Sequence, residues 1–86
     1  MKVQILGIGC ARCDDLEKRV RNALAELDIA ADVEHVTDLK RFSSMGVFMT
    51  PGLLIDGKVV SQGRVPGVAQ LKAWLEEAQS AKEEAV

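Results

Sequence analysis

Between Ile8 and Ala11 the hydrophobic period of this chain switches from that of a strand to that of a helix, and the switch falls on Cys10, the first of its two cysteines. Lys2 to Ile8 is short and β-rich, with Val3, Ile5 and Ile8 apolar, and predicts a mostly buried strand. Gly7 and Gly9 then punctuate a turn that carries Cys10. From Ala11 to Leu27 the residues Leu16, Val20, Ala23, Leu24 and Leu27 recur at helical spacing and form one stripe, with Glu17, Lys18, Arg21 and Asn22 on the opposite face. Asp14, Asp15 and Glu17 lie in or near the first turn, where negative charge suits the helix dipole.

That placement gives the cysteines a chemistry. Cys10 sits where unpaired N–H groups and the positive end of a helix dipole favour thiolate over thiol, and the thiolate is the nucleophile. Arg12 adds a positive charge that would tune Cys10 the same way, whereas Asp14 and Asp15 oppose it. Residues three apart in a helical first turn have Cα atoms about 5–6 Å apart, within disulfide range. Cys13 could therefore attack a mixed disulfide formed on Cys10, making Cys10 the attacking and Cys13 the resolving thiol. Two cysteines supply only half of a closed zinc site, and the single histidine, His35, hardly completes it.

Composition narrows the setting. At 86 residues the chain has room for one domain, expected over residues 1–79, with 80–86 a frayed tail. A net charge of −2 argues against nucleic acid as a partner. No run approaches the roughly 20 apolar residues of a membrane span. The start lacks the basic and long apolar segments of a signal peptide. The expected location is the cytoplasm, where structural disulfides are rare and a close cysteine pair is catalytic or metal-binding.

The rest of the chain predicts further elements. Asp32 to Val36 reads as a second strand. Thr37 or Asp38 can cap a short helix through Leu39, Phe42 and Met45, stopped by Gly46. Leu53–Ile55 and Val59–Val60 flank Asp56-Gly57, a hairpin signal, and Gly63 ends it. Pro66 suits a helix start, and Val68, Leu71, Leu75 and Ala78 mark one face of a last helix. The order is βαβαββα. It predicts an α/β fold with a four-stranded mixed sheet: a right-handed parallel crossover first, an antiparallel hairpin last, and helices on both faces.

Gly7-Ile8-Gly9-Cys10-Ala11-Arg12-Cys13, followed after one β–α unit by Thr50-Pro51-Gly52-Leu53-Leu54-Ile55-Asp56-Gly57, resembles the thioredoxin/glutaredoxin superfamily. The chain is most similar to the small, glutaredoxin-sized redox-active disulfide proteins of prokaryotes. The resemblance runs from Met1 to about Ala78. It implies a thioredoxin-like fold and a cis Thr50–Pro51 bond beside the cysteines. It also implies that Thr50 and Pro51 bind substrate, with the Thr50 backbone pairing with a partner chain like an added strand. The implied activity is protein-disulfide oxidoreduction, with no bound cofactor. Substrates would be disulfides in proteins or small molecules, and a separate thioredoxin-reductase-like donor would restore the pair. The chain departs from thioredoxins proper in having Gly9 before Cys10, Ala11-Arg12 between the cysteines, and Gln4 near the place of their buried Asp. No glutathione-pocket signature is evident.

Other readings remain at this level. A Cu(I)-carrying chaperone also places CxxC between a first strand and helix. Its βαββαβ order, however, lacks the helix expected at Asp38–Met45. A redox-inactive binding module would not need the second cysteine. His35, at the sheet edge where the first strand also ends, could serve proton transfer or packing. Phe42 and Trp74 read as packing residues. Met45, Phe48 and Met49 read either as core or as an apolar rim beside Pro51.

Overall fold

The computed structural model describes residues 1–8 and 11–84. The elements are β1 (Lys2–Leu6), α1 (Ala11–Leu27), β2 (Asp32–Val36), α2 (Leu39–Ser44), β3 (Gly52–Ile55), β4 (Lys58–Gln62) and α3 (Val68–Glu84). The sheet order is β2-β1-β3-β4. β1 runs parallel to β2 and antiparallel to β3, and β3 and β4 form an antiparallel hairpin. This is the mixed, four-stranded βαβαββα arrangement that the hydrophobic periods predict.

Alternation along the strands divides the core in two. Val3 and Ile5 of β1 and Leu53 and Ile55 of β3 pack with Leu16, Val20, Ala23 and Leu24 of α1 and Leu71 and Leu75 of α3. Trp74 and Ala78 extend this cluster as partly buried residues. On the other face Leu6, Val36 and Leu54 meet Phe42 of α2 and Val47. Thus α1 and α3 cover one face and α2 covers part of the other.

Local signals explain the boundaries. Asp38 caps α2, its Oδ1 accepting from the Lys40 N–H at 3.0 Å. Asp56 and Gly57, at φ 50 and 84, make the turn that a two-residue hairpin needs. The β3–β4 register shifts between Leu53 and Leu54, so Leu54 faces Val59 while Leu53 faces Ser61. Val60 is the extra residue of a bulge between these two pairings.

Three expectations need correction. β1 stops at Leu6, because the Gly7 N–H makes a last 3.1 Å bond to Val36 O and the chain then leaves the ladder. Ile8 is consequently 53% exposed rather than buried. α3 begins at Val68, after Pro66, with the Leu71 N–H bonding to Gly67 O. Its helical backbone runs on past Gln79 to Glu84, within the stretch read as a tail.

On the more open face, Gln4 is nearly buried and donates from Nε2 to Glu34 Oε1 at 2.8 Å. This bond, helped by Lys2 and Arg41 at 3.9 Å each, outweighs desolvation and holds the Glu34 carboxyl below its ordinary value of 4.5. A carboxyl lowered by folding contributes stability above its unfolded pKa and loses it as pH falls through the folded one. Glu34→Gln should therefore lower the urea midpoint near neutrality, and its gap to wild type should close as the pH drops below 4.5. Urea titrations across that range check this.

Candidate active site

The candidate site gathers at one end of the sheet, where β1 ends, α1 begins and the segment before β3 arrives. Cys13 lies in the first turn of α1 and is fully buried. Its sulfur packs against the backbone of Gly7: a Cβ placed on Gly7 would overlap Cys13 Sγ outright and would lie 4.0 Å from Thr50 Cβ. Gly7 does not adopt a positive φ. The glycine provides room for the sulfur rather than an unusual torsion. One small residue thus brings Cys13 and Thr50 together from positions far apart in sequence.

Gly9 and Cys10 lie outside the described residues. Cys10 is placed only by its covalent position, immediately ahead of the helix that starts at Ala11.

The Thr50–Pro51 peptide bond is cis. Pro51 is buried and Thr50 is exposed. Val47 anchors the segment leading to them by turning into the core, close enough to Gly52 that a Cβ there would meet Val47 Cγ1 at 2.6 Å. Phe48 and Met49 turn outward, 79% and 59% exposed. Met45 packs partly buried on the α2 side. The three residues read together in sequence therefore divide, with Met45 on the core and the other two on a rim beside Thr50.

Arg12 lies beside this region, but its guanidinium is directed across it. Nη2 donates to the Gly63 carbonyl at 2.8 Å, tying the start of α1 to the end of β4. His35 packs beneath the site, its Nε2 3.1 Å from Gly7 O. Its Nδ1 is 3.6 Å from Glu17 Oε1, and Glu17 also pairs with Arg21. His35 therefore braces the residue on which Cys13 rests.

Sequence reasoning missed two contributors. Gly7 reads only as turn punctuation, although a glycine two residues past the last inward strand position is the available signal for close packing. Gln62 carries no sequence signal of its own, yet its Oε1 accepts from the backbone N–H groups of Phe48 and Met49 at 2.9 and 3.3 Å. No local pattern announces a partner across a turn.

A mixed sheet in this order, with a buried helix-start cysteine facing the segment before β3, defines a protein of the thioredoxin-like α/β fold. The chain belongs to the family described as the thioredoxin domain, whose model matches residues 1–76. A thioredoxin of Methanothermobacter thermautotrophicus is 40% identical over 75 residues, covering 87% of this chain and 97% of that protein. A thioredoxin of Methanocaldococcus jannaschii is 36% identical over 73 residues, covering 85% of this chain and 84% of its own. The structure of thioredoxin 1 from Thermosipho africanus superposes with a TM-score of 0.62 at 16% identity, covering 96% of this chain and 99% of that one, a likeness of fold. The chain is thus a thioredoxin-like redox protein. None of these matches supports the copper-carrying reading, and the observed βαβαββα order is not the one that reading requires. Among the described residues no helix is long and apolar enough to cross a membrane.

Proposed function

We propose that the chain is a dithiol–disulfide oxidoreductase that reduces or exchanges disulfides through Cys10 and Cys13. The reading is carried by the burial of Cys13 against Gly7, within reach of the exposed Thr50. A thiol closed off from solvent is poorly placed to meet an incoming substrate and well placed to resolve an adduct on its neighbour. In the forward direction the Cys10 thiolate attacks one sulfur of a substrate disulfide, forming a mixed disulfide and expelling the first substrate thiolate. Cys13, as thiolate, then attacks the Cys10 sulfur and expels the second. Two electrons pass to the substrate and Cys10–Cys13 is left as a disulfide. A separate dithiol donor, reductase-like in character, returns the pair to its reduced form. A partner segment would lie along Thr50 in extended form while Pro51 closes the donor row behind it. We place this cycle in the cytoplasm, where reductants keep exposed thiols reduced.

Trapping tests the assignment. Cys13→Ser should accumulate mixed disulfides with protein substrates that dithiothreitol releases, because the first attack survives and resolution does not. Cys10→Ser should trap nothing, and should leave reductant-driven insulin reduction at the rate of dithiothreitol alone. Equal trapping by both variants, or by neither, would overturn the roles given to the two thiols.

A further inference from the structure

We propose that Gln62 is a positioning residue that presets the segment 48–51 for partner docking, an inference that rests on the oxidoreductase reading above. Five contacts converge on the last residue of β4 and the glycine after it. Gln62 Oε1 accepts from the N–H groups of both Phe48 and Met49. The Gly63 N–H donates to Pro51 O at 3.0 Å. The Gly63 carbonyl receives Arg12 Nη2. The Met49 side chain closes over Gly63, its Cε 3.1 Å from where a Cβ would stand.

These bonds use up the backbone donors of the segment selectively. Phe48 and Met49 spend theirs on Gln62, and Pro51 has none to give. The Pro51 carbonyl is spent on Gly63. Among the described residues Thr50 is the member of the run whose backbone takes no hydrogen bond, so an approaching extended chain finds its donor and acceptor there. Gln62 also holds the backbone that carries the exposed side chains of Phe48 and Met49, so the rim is ordered before a partner arrives. Preordering of this kind favours binding by removing an ordering cost from the association step. The chemistry at the sulfurs is untouched by it. A protein disulfide, which needs the docking run, should depend on Gln62, whereas a small disulfide that reaches Cys10 directly should not.

The test compares wild type, Gln62→Met and Gln62→Glu in dithiothreitol-driven reduction of insulin and of bis(2-hydroxyethyl) disulfide. Methionine keeps the length of the side chain and removes the acceptor, whereas glutamate keeps the acceptor. Q62M should raise KM for insulin about five- to tenfold, the scale of a net hydrogen bond. Its kcat, and its rate with the small disulfide, should stay within about twofold of wild type. Q62E should restore the wild-type KM. Amide exchange at Phe48 and Met49 should accelerate in Q62M and not in Q62E, a readout available even if insulin turnover is too slow to measure. A Q62M enzyme with unchanged insulin KM, an equal loss on both disulfides, or no rescue by Q62E would overturn the role of Gln62 while leaving the oxidoreductase reading intact. A wild-type protein inert toward both disulfides would overturn both.

Discussion

Gly7→Ala is expected to cost the protein stability and, to a larger extent, turnover. The added methyl would occupy the space of Cys13 Sγ and press on Cys13 Cβ, 3.4 Å from its position. Neither side of the contact yields readily. Gly7 is held by its N–H to Val36 O and by its carbonyl to His35, each at 3.1 Å. The sulfur ends a side chain of only two heavy atoms, Cβ and Sγ, on a buried helix turn, and it can give way only by changing rotamer. Overpacking of this kind costs about 1–3 kcal/mol, and at this chain length each kcal/mol lowers Tm by roughly 4–8 °C. The double variant Gly7→Ala/Cys13→Ala should regain most of that loss, since the overlapping atom is gone, yet remain unable to resolve a mixed disulfide. A double-mutant cycle on Tm, run beside insulin turnover, measures the coupling. A G7A protein as stable as wild type, with no coupling to C13A, would show that the sulfur does not rest on Gly7.

The dependence of the site on Gly7 illustrates what the sequence could and could not disclose. Helix α1 and strand β2 match their sequence reading to the residue, the first from an apolar stripe at helical spacing and the second from a short segment with two β-branched residues, Val33 and Val36. The hairpin at Asp56-Gly57 is equally legible, since few residues accept its positive φ values. Where apolar character and hydrogen bonding part company, the reading fails. Ile8 looks like strand interior, yet the ladder has already ended and its side chain faces solvent. The extra residue at Val60 could not be anticipated, because a bulge is a property of two strands in register.

At the site, the two cysteines stand out by their chemistry and spacing, and the cis Thr50–Pro51 bond is what the family resemblance implies. Their supports were not. Arg12 suggested local tuning of Cys10, whereas its long side chain ends on a carbonyl 51 positions away. His35 was placed correctly at the strand ends, but its bond to Gly7 O depends on the parallel pairing of β1 and β2. Gln62 meets Phe48 across 14 positions of sequence, at the end of a hairpin whose register shifts between Leu53 and Leu54. Side-chain supports of this kind follow from tertiary register, which no local window encodes.

The two-sided core leads to a second large effect, in which equal chemistry at two positions should give unequal outcomes. Leu16→Ala removes a fully buried side chain from the cluster that joins β1, β3, α1 and α3. Leucine-to-alanine changes in such settings cost about 2–5 kcal/mol, against a total of roughly 4–13 kcal/mol for a domain of this length. Tm should fall on the order of 10–30 °C. Amide protection should drop throughout β1 and β3, because no helix on that face remains fully packed. Phe42→Ala removes a larger side chain from the smaller cluster on the opposite face, where α2 has only six residues. So short a helix does not persist without its packing, so the loss should be local: fast exchange across residues 39–47 with protection in β1 and β3 largely kept. Exchange profiles of the two variants beside their melting curves decide the matter. Matching global losses would mean that the sheet is stabilised equally from both faces. The site is unequally exposed to the two changes as well. Leu16 stands one helical turn beyond Cys13, so its loss loosens the turn that carries that cysteine, whereas Phe42 packs with Val47, ahead of the segment 48–51.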